Sequence, residues 1–214
     1  MKYTNPPVPS SYRMNDLGET LYNIVLNLKP KRIVEFGTLH GYSAIAMGMA
    51  LHELGEGEVV THDIFNAYAF KHGSKENIIE AIKDLGLEKF VRVEEGDFNG
   101  WDGKDFDLAH IDISNTGETL RKLKQKVAGS DGVVLFEGGS KQRDQVQWMT
   151  KYNKQPMQSC GIMYEVVDDR FPSLSILGGL NGRDIRGPRE DSDISTPSGE
   201  NKGRGARGSK KNSG

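Results

Sequence analysis

The sequence predicts an α/β domain built on a mostly parallel, doubly wound sheet. Short apolar segments alternate with helical segments along most of the chain, which is the order expected of βαβ units. Three of the apolar segments, at 32–36, 106–111 and 132–136, are mainly continuous runs, as is typical of strands that are covered on both faces. A chain of 214 residues has room for one such domain with a sizeable core.

Each element follows from a local signal. The first helix begins near Asn15 or Asp16, which can act as the N-cap, and Pro30 ends it. Gly37 interrupts the first strand, and small residues let the next helix pack closely on the sheet. The last two strands are expected to form an antiparallel hairpin at the sheet edge. By these criteria strands are predicted at 32–36, 58–62, 90–94, 106–111, 132–136, 162–167 and 173–177, and later helices at 41–54, 75–85, 118–127 and 143–152.

Both ends of the chain differ from the central part. Residues 1–14 contain three prolines and are predicted to be an extended arm, and the domain is predicted to span 15–180. Residues 181–214 are rich in Gly, Ser and charged side chains, so they cannot bury enough surface to order themselves. Their basic end is either a solvated tail or a weak electrostatic arm for RNA.

Composition excludes several classes of protein. The net charge of -2 gives no general reason to expect nucleic acid or an acidic membrane as a partner. Cys160 is the only cysteine, which rules out an internal disulfide and is typical of a reducing compartment. No stretch approaches the roughly 20 apolar residues of a membrane span. We therefore expect a cytoplasmic protein that does not enter a membrane.

Acidic residues or glycines follow each of the first five predicted strands. Ligands of open α/β sheets bind outside the carboxyl ends of the strands, so these residues are candidates for a binding site. A carboxylate at Asp63 can accept both hydroxyls of a ribose, and Asp97 beside Phe98 can bind an adenine amino group and cover its ring. The strand-end residues are Glu35 with Gly37 and Gly41, then Asp63, Asp97, Asp112 and Glu137.

The segment Glu35-Phe36-Gly37-Thr38-Leu39-His40-Gly41-Tyr42-Ser43 resembles the acid-x-Gly-x-x-x-Gly-x-Ser motif of the class I S-adenosylmethionine-dependent methyltransferases. His62-Asp63-Ile64 is similar to the ribose acid of that family, and Gly96-Asp97-Phe98 to its adenine site. The resemblance covers about residues 15–180 and is strongest to the small O-methyltransferase-like group. It implies a Rossmann-like sheet of seven strands with an antiparallel last strand.

The resemblance also implies roles for individual residues. Glu35 would lie near the amino end of the methionine part of the cofactor, Gly37 and Gly41 would pass along it, and Asp63 would bind its ribose. The full implied cofactor set is Glu35, Gly37, Thr38, Gly41, Tyr42, Ser43, Asp63, Ile64, Asp97, Phe98 and Asp112.

Two other cofactor motifs are missing from the sequence. The dinucleotide fingerprint Gly-x-Gly-x-x-Gly is absent, which disfavours a nicotinamide-dependent oxidoreductase. The Walker loop is absent too, which disfavours an NTPase.

Methyl transfer needs alignment and a deprotonated acceptor. Asp112 and His110 are the candidate general bases. Asp112 and Glu137 match in position two metal ligands of the catechol-type relatives, so Mg²⁺ is an open alternative, but Gly138 follows Glu137 where those relatives supply a third ligand. The ligand count therefore does not support a metal, and Glu137 stays a candidate catalytic residue without one.

The sequence thus predicts methyl transfer to a small molecule or sugar, at oxygen. One alternative is a non-catalytic member that keeps the fold as a binding or scaffold module. Another is an RNA methyltransferase that uses the basic tail, although the Asn/Asp-Pro-Pro-Tyr/Phe signature of amino-group methylation is absent. A small-molecule acceptor is the expected partner, nucleic acid is disfavoured, and a homodimer is left open.

Overall fold

A single sheet organises the computed structural model, which describes residues 1–65, 73–114 and 116–178. Its strands run in the order β3-β2-β1-β4-β5-β7-β6. Strand β7 pairs antiparallel with both β5 and β6, whereas all other pairs are parallel. The predicted seven-stranded, mostly parallel sheet with an antiparallel last strand is confirmed. The strands are β1 (Arg32–Phe36), β2 (Glu58–Asp63), β3 (Val91–Glu95), β4 (Leu108–Ile111), β5 (Val133–Glu137), β6 (Tyr164–Asp168) and β7 (Leu174–Leu177).

Helices cover both faces of this sheet. Helices α1 to α3 share one apolar core with residues such as Ile33, Leu108 and Leu135, whereas α4 packs on the opposite face against Phe36 and Phe136. Successive residues of a strand point to opposite faces, so each buried strand feeds both cores. The helices among the described residues are α1 (Leu17–Leu28), α2 (Tyr42–Leu54), α3 (Lys75–Asp84), α4 (Gly117–Lys126), α5 (Lys141–Asp144) and α6 (Gln147–Lys151).

The predicted helix at 143–152 is wrong, because the segment forms the two short helices α5 and α6. Val146 between them is extended, with φ -63° and ψ 145°. The side chain of Asp144 accepts hydrogen bonds from the backbone amides of Met157 and Gln158, at 3.0 and 2.9 Å. This contact with a later segment fixes the end of α5 and turns α6 in a new direction.

The arm at residues 1–14 ends in a single 3₁₀ turn at Tyr12–Met14. Tyr12 is buried with 2% of its surface exposed, and Val8 is buried as well. The arm therefore packs on the domain through two apolar anchors. The predicted tail at 181–214 lies outside the described residues.

The strand order reverses between β1 and β4, which lie side by side at the middle of the sheet. The chain leaves β1 toward β2 and β3, and leaves β4 toward β5. In doubly wound sheets this reversal opens a crevice at the carboxyl ends of the two strands, where ligands bind.

Candidate active site

A cavity of about 1030 Å³ opens at the carboxyl ends of strands β1 to β5. Three of the predicted site residues, Glu35, Gly41 and His110, are not among its lining residues. The predicted residues that do line it are Gly37, Thr38, Tyr42, Ser43, Asp63, Ile64, Asp97, Phe98, Asp112 and Glu137. The strand ends that are far apart in sequence are thus brought to one site.

The loop after β1 needs glycine at two positions. Gly37 has φ +100°, and a Cβ atom there would lie 2.0 Å from the backbone oxygen of Asp112. Gly41 has φ +84° and is the N-cap of α2, and its amide donates to the carbonyl of Thr38 at 2.7 Å. Glycine tolerates this left-handed backbone without strain. The loop can therefore lie flat against the end of β4 and turn directly into α2.

Asp63 and Asp97 present carboxylates on the β2 and β3 side of the cavity. Asp63 accepts hydrogen bonds from the amides of Leu39 and Phe65, both at 3.0 Å, so it joins the end of β2 to the β1 loop. Asp97 accepts from the backbone and side chain of Asn99, and these hydrogen bonds lower the pKa of its carboxyl group. Asp97 is therefore anionic at neutral pH.

Glu35 lies behind the cavity, one side chain away from it. Strand register places it between Thr61 of β2 and His110 of β4. Its carboxylate accepts hydrogen bonds from Ser43 Oγ at 2.5 Å and Thr61 Oγ1 at 2.6 Å, and lies 2.8 Å from His110 Nδ1. Glu35 and His110 are fully buried. Glu35 thus holds together three elements that form the cavity, and Ser43 is the one of its partners that lines it.

Asp112 and Glu137 form a carboxyl pair at the ends of neighbouring strands β4 and β5. Burial, the negative charge of Glu137 and a hydrogen bond with it together raise the pKa of Asp112 well above its usual value. Glu137 in turn lies 3.2 Å from the guanidinium Nε of Arg143, and both side chains are nearly buried. The charge of Glu137 is therefore balanced by Arg143, and Asp112 is the group that holds a proton readily.

Tyr12 is a site residue that the sequence analysis missed. Its hydroxyl lies 3.4 Å from His110 Nε2 and hydrogen-bonds Asp112. Burial and the nearby carboxylates raise its pKa well above 10, so the phenol is neutral. Tyr12 is one of two tyrosines in the polar, proline-rich segment 1–14, and its sequence context offers no signal that separates it from Tyr3.

The donor set does not fit Mg²⁺. Among the residues that the structure describes, no group of three His, Cys, Asp or Glu side chains is placed to hold a metal ion. The guanidinium of Arg143 already lies against one oxygen of Glu137, where it supplies the positive charge that a dication would bring. Mg²⁺ prefers a complete oxygen shell, and Asp112 with Glu137 supplies only two protein ligands.

Helices α5 and α6 and the turn after them form another wall of the cavity. Arg143, Trp148, Lys151 and Tyr152 reach the cavity from this wall.

No helix in the described part of the chain has the length and apolar character that crossing a bilayer requires.

Residues 34–137 match a family model described as a methyltransferase domain. The match begins in β1 and ends at the last residue of β5, so it contains every strand end that borders the cavity. No curated protein matches the chain.

Three solved structures share the fold. A provisionally named O-methyltransferase from Klebsiella pneumoniae has a TM-score of 0.55 and 18% identity, over 80% of this chain and 84% of that chain. The O-methyltransferase TomG from Streptomyces achromogenes, solved in complex with SAM, has a TM-score of 0.51 and 17% identity, over 78% and 86%. Cofactor-bound Rv0187 from MTB has a TM-score of 0.53 and 18% identity, over 80% and 84%.

The TM-scores establish a common fold with these three structures. The family match identifies residues 34–137 as a methyltransferase domain. The seven-stranded sheet with its antiparallel β7 and the matched segment from β1 to β5 agree with the motifs at the strand ends. The segment from β1 to β5, just under half of the chain, matches a methyltransferase domain, and the motifs at its strand ends resemble those of the class I S-adenosylmethionine-dependent methyltransferases.

Proposed function

We propose that the protein transfers a methyl group from S-adenosylmethionine to a hydroxyl oxygen of a small molecule. One observation carries this proposal. A single cavity joins the carboxylates at the ends of β2 and β3 to the Asp112–Glu137 pair at the ends of β4 and β5. The first half has the chemistry of a nucleoside site, and the second half has a group that can accept a proton.

The β1 to β3 side fits the cofactor. Asp63 is held in place by two amides and keeps lone pairs for the ribose hydroxyls. Asp97 is anionic and exposed, so it can accept from an adenine amino group, and the buried ring of Phe98 offers an apolar surface beside it. TomG is solved in complex with SAM, which supports the same cofactor here.

The charge of the site also suits a cationic ligand. Asp63, Asp97 and Asp112 border the cavity, and the buried Glu35 lies behind it. A surface that carries one sign of charge attracts ligands of the opposite sign, and the strand-end side of the cavity is acidic, whereas the cationic residues of the cavity come from residues 143–154. Glu35 acts on the sulfonium and ammonium groups at a distance in this arrangement, because its oxygens are already hydrogen-bonded to Ser43, Thr61 and His110.

Asp112 is the proposed general base. A base works best when its pKa lies near the working pH, and burial beside Glu137 shifts the pKa of Asp112 in that direction. Tyr12 hydrogen-bonds the same carboxyl group and orients it. The chemistry supplied by bound S-adenosylmethionine is the methyl group, which passes to oxygen as the carbon–sulfur bond breaks and its electron pair stays on sulfur. Asp112 takes the hydroxyl proton.

Arg143 reduces the electrostatic repulsion between the carboxyl groups of Asp112 and Glu137. Two carboxylates in contact repel each other unless one is neutralised, and the ion pair between Arg143 and Glu137 supplies that compensation. No step of the proposed mechanism uses a metal ion.

Calorimetry with S-adenosylmethionine, S-adenosylhomocysteine and NAD tests the cofactor assignment. We expect the first two to bind and NAD not to bind. Replacing Asp63 with Ala removes the ribose acceptor, so the affinity should fall by about tenfold or more, the usual cost of losing a hydrogen bond to a charged group. Asp84→Ala, on the exposed surface of α3, is the matched control. The proposal fails if the wild-type protein binds no S-adenosylmethionine at millimolar concentration.

A further inference from the structure

The wall of the cavity built by residues 141–154 differs in charge from the strand-end side. This segment contains four cationic residues and one acidic residue, Asp144. Asp144 is buried and its carboxylate is occupied by the amides of Met157 and Gln158. The wall is therefore positive, although the chain as a whole has a net charge of -2.

Two cations of this wall differ from the rest in their surroundings. Lys151 and Lys154 both border the cavity. In the described part of the chain, neither ammonium group lies within ion-pair distance of a carboxylate. Arg143 differs from them, because it is committed to Glu137 at 3.2 Å.

Aromatic rings accompany these cations. The ring centroids of Trp148 and Tyr152 lie 6.4 Å apart, and both rings border the cavity. The ammonium of Lys151 lies 5.2 Å from the centroid of Tyr152, and the guanidinium carbon of Arg143 lies 5.6 Å from that of Trp148. Tyr152 is 53% exposed, so a planar ligand could cover a ring that the fold leaves open. Cation–aromatic contacts hold the lysine near the ring without neutralising its charge.

We propose that the methyl acceptor is an anionic small molecule, whose carboxylate or phosphate group binds Lys151 and Lys154 and whose planar part lies on Trp148 and Tyr152. The hydroxyl that receives the methyl group then faces Asp112, which lines the same cavity. This inference rests on the proposed function and adds the substrate class to it.

The charges of the site give the two lysines a specific purpose. An anionic acceptor would be repelled by Asp112 in its unprotonated, active form, since like charges in a partly desolvated cleft raise each other's energy. Lysines that line the cavity offset that repulsion by binding the anionic group of the acceptor. An uncharged acceptor would gain no binding affinity from the two lysines. The difference in affinity between an anionic and a neutral acceptor therefore measures their contribution.

The test compares an anionic ligand with its neutral amide, and adds a phosphate ester as a second anion, each bound to the full chain saturated with S-adenosylhomocysteine. The probes are 3,4-dihydroxybenzoate, its neutral counterpart 3,4-dihydroxybenzamide, and phenyl phosphate. The affinity of each is measured from the change in tryptophan fluorescence as the probe is added. We expect both anions to bind about tenfold tighter than the amide, as a charge-assisted hydrogen bond provides. The ratio of benzoate to phosphate affinity distinguishes a carboxylate acceptor from a phosphorylated one.

Variants assign the preference to the two lysines. In the double variant Lys151→Gln, Lys154→Gln, the ratio of anion to amide affinity should fall to about one while S-adenosylhomocysteine still binds. The double variant Lys83→Gln, Lys89→Gln removes two exposed lysines around the C-terminal end of α3 and should leave the ratio unchanged.

Three results would overturn the inference. They are an amide that binds as tightly as the anions, an anion preference that survives the loss of both lysines, and failure of every anion to bind at millimolar concentration. Displacement of the anions by lower concentrations of a short RNA would assign the lysines to RNA and also contradict it. If S-adenosylhomocysteine itself does not bind, the proposed function fails first and this inference fails with it.

Discussion

Asp112 and Glu137 end two neighbouring parallel strands, and their side chains meet because the register of β4 and β5 brings the two strand ends to the same level. Each carboxyl group has its own environment. Glu137 is paired with Arg143, whereas Asp112 has a raised pKa because of burial and the charge beside it. Environments that differ in this way assign different roles to two acids of one site.

The pH dependence of methyl transfer tests the role of Asp112. Its raised pKa means that the unprotonated, active form appears only as the pH rises above the usual range for an aspartate. The rate should therefore increase with pH through that raised pKa, with the profile belonging to the coupled pair with Glu137. In Asp112→Asn the rise should disappear and kcat should fall by about 10²–10⁴-fold, the usual contribution of a general base. Assays in EDTA keep metal ions out of the comparison.

Stability gives a second measure on the same variant. A carboxyl group that binds its proton more tightly when folded than when unfolded loses stabilising free energy as the pH rises between its two pKa values. Asp112→Asn should therefore be more stable than wild type at high pH, by about 1.4 kcal/mol for each unit of the shift. Asp105→Asn, a control on the surface with 87% of its side chain exposed, should change neither the rate nor the stability. An unchanged pH profile in Asp112→Asn would remove Asp112 from the mechanism.

At the scale of elements, two short segments complete the site that the strand ends begin. The arm brings Tyr12 over His110, with ring centroids 6.2 Å apart, and α6 brings Trp148 and Lys151 into the lining of the cavity. Neither segment belongs to the regular alternation of strands and helices that builds the sheet. The arm has no helix or strand before its 3₁₀ turn, and α6 exists as a separate helix because Val146 is extended.

Truncation of Tyr12 tests the arm as a structural element. Tyr12→Ala removes a fully buried ring, so the free energy of unfolding should fall by about 3–5 kcal/mol, as for other buried aromatic side chains. Urea denaturation measures the change. Met14→Ala shortens a neighbouring side chain that is 88% exposed and should cost less than about 0.5 kcal/mol, as surface substitutions do. A Tyr12→Ala variant as stable as wild type would mean that the arm does not pack on the domain in solution.

At the scale of the molecule, the cavity depends on residues that are distant in sequence but belong to one sheet. Its lining residues lie between Pro9 and Lys154 among the described residues, and they meet because β1 and β4 are adjacent where the strand order reverses. The antiparallel pair β6 and β7 contributes no lining residue within that range and extends the sheet beyond β5.

The position of the lining residues predicts the effect of shortening the chain. A protein ending at residue 180 keeps every described residue of the cavity. Its affinity for S-adenosylhomocysteine, measured by calorimetry beside the full chain, should agree within about twofold, since every described lining residue is retained. A tenfold loss would show that residues 181–214 take part in the site and would support the alternative of a tail that acts with the domain.

The sequence by itself determined the sheet and the chemistry at its strand ends. Alternation of apolar and helical segments is local, and so are glycine loops such as Gly37 to Gly41, because backbone strain and periodicity are properties of short segments. Parallel strands then bring their carboxyl ends together by topology alone. The positions of Asp63, Asp97 and Asp112 around one site could therefore be predicted without coordinates.

Tertiary structure alone decided the surroundings of each of these groups. Glu35 has the place of a ligand residue in the motif, yet the register with Thr61 and His110 turns it into a buried anchor. Tyr12 enters the site from a segment without periodicity, and the contact of Asp144 with Met157 breaks the helix that the pattern favoured. The physical reason is the same in all three cases. Burial, pairing and pKa depend on neighbours from other parts of the chain, and a local pattern does not contain them.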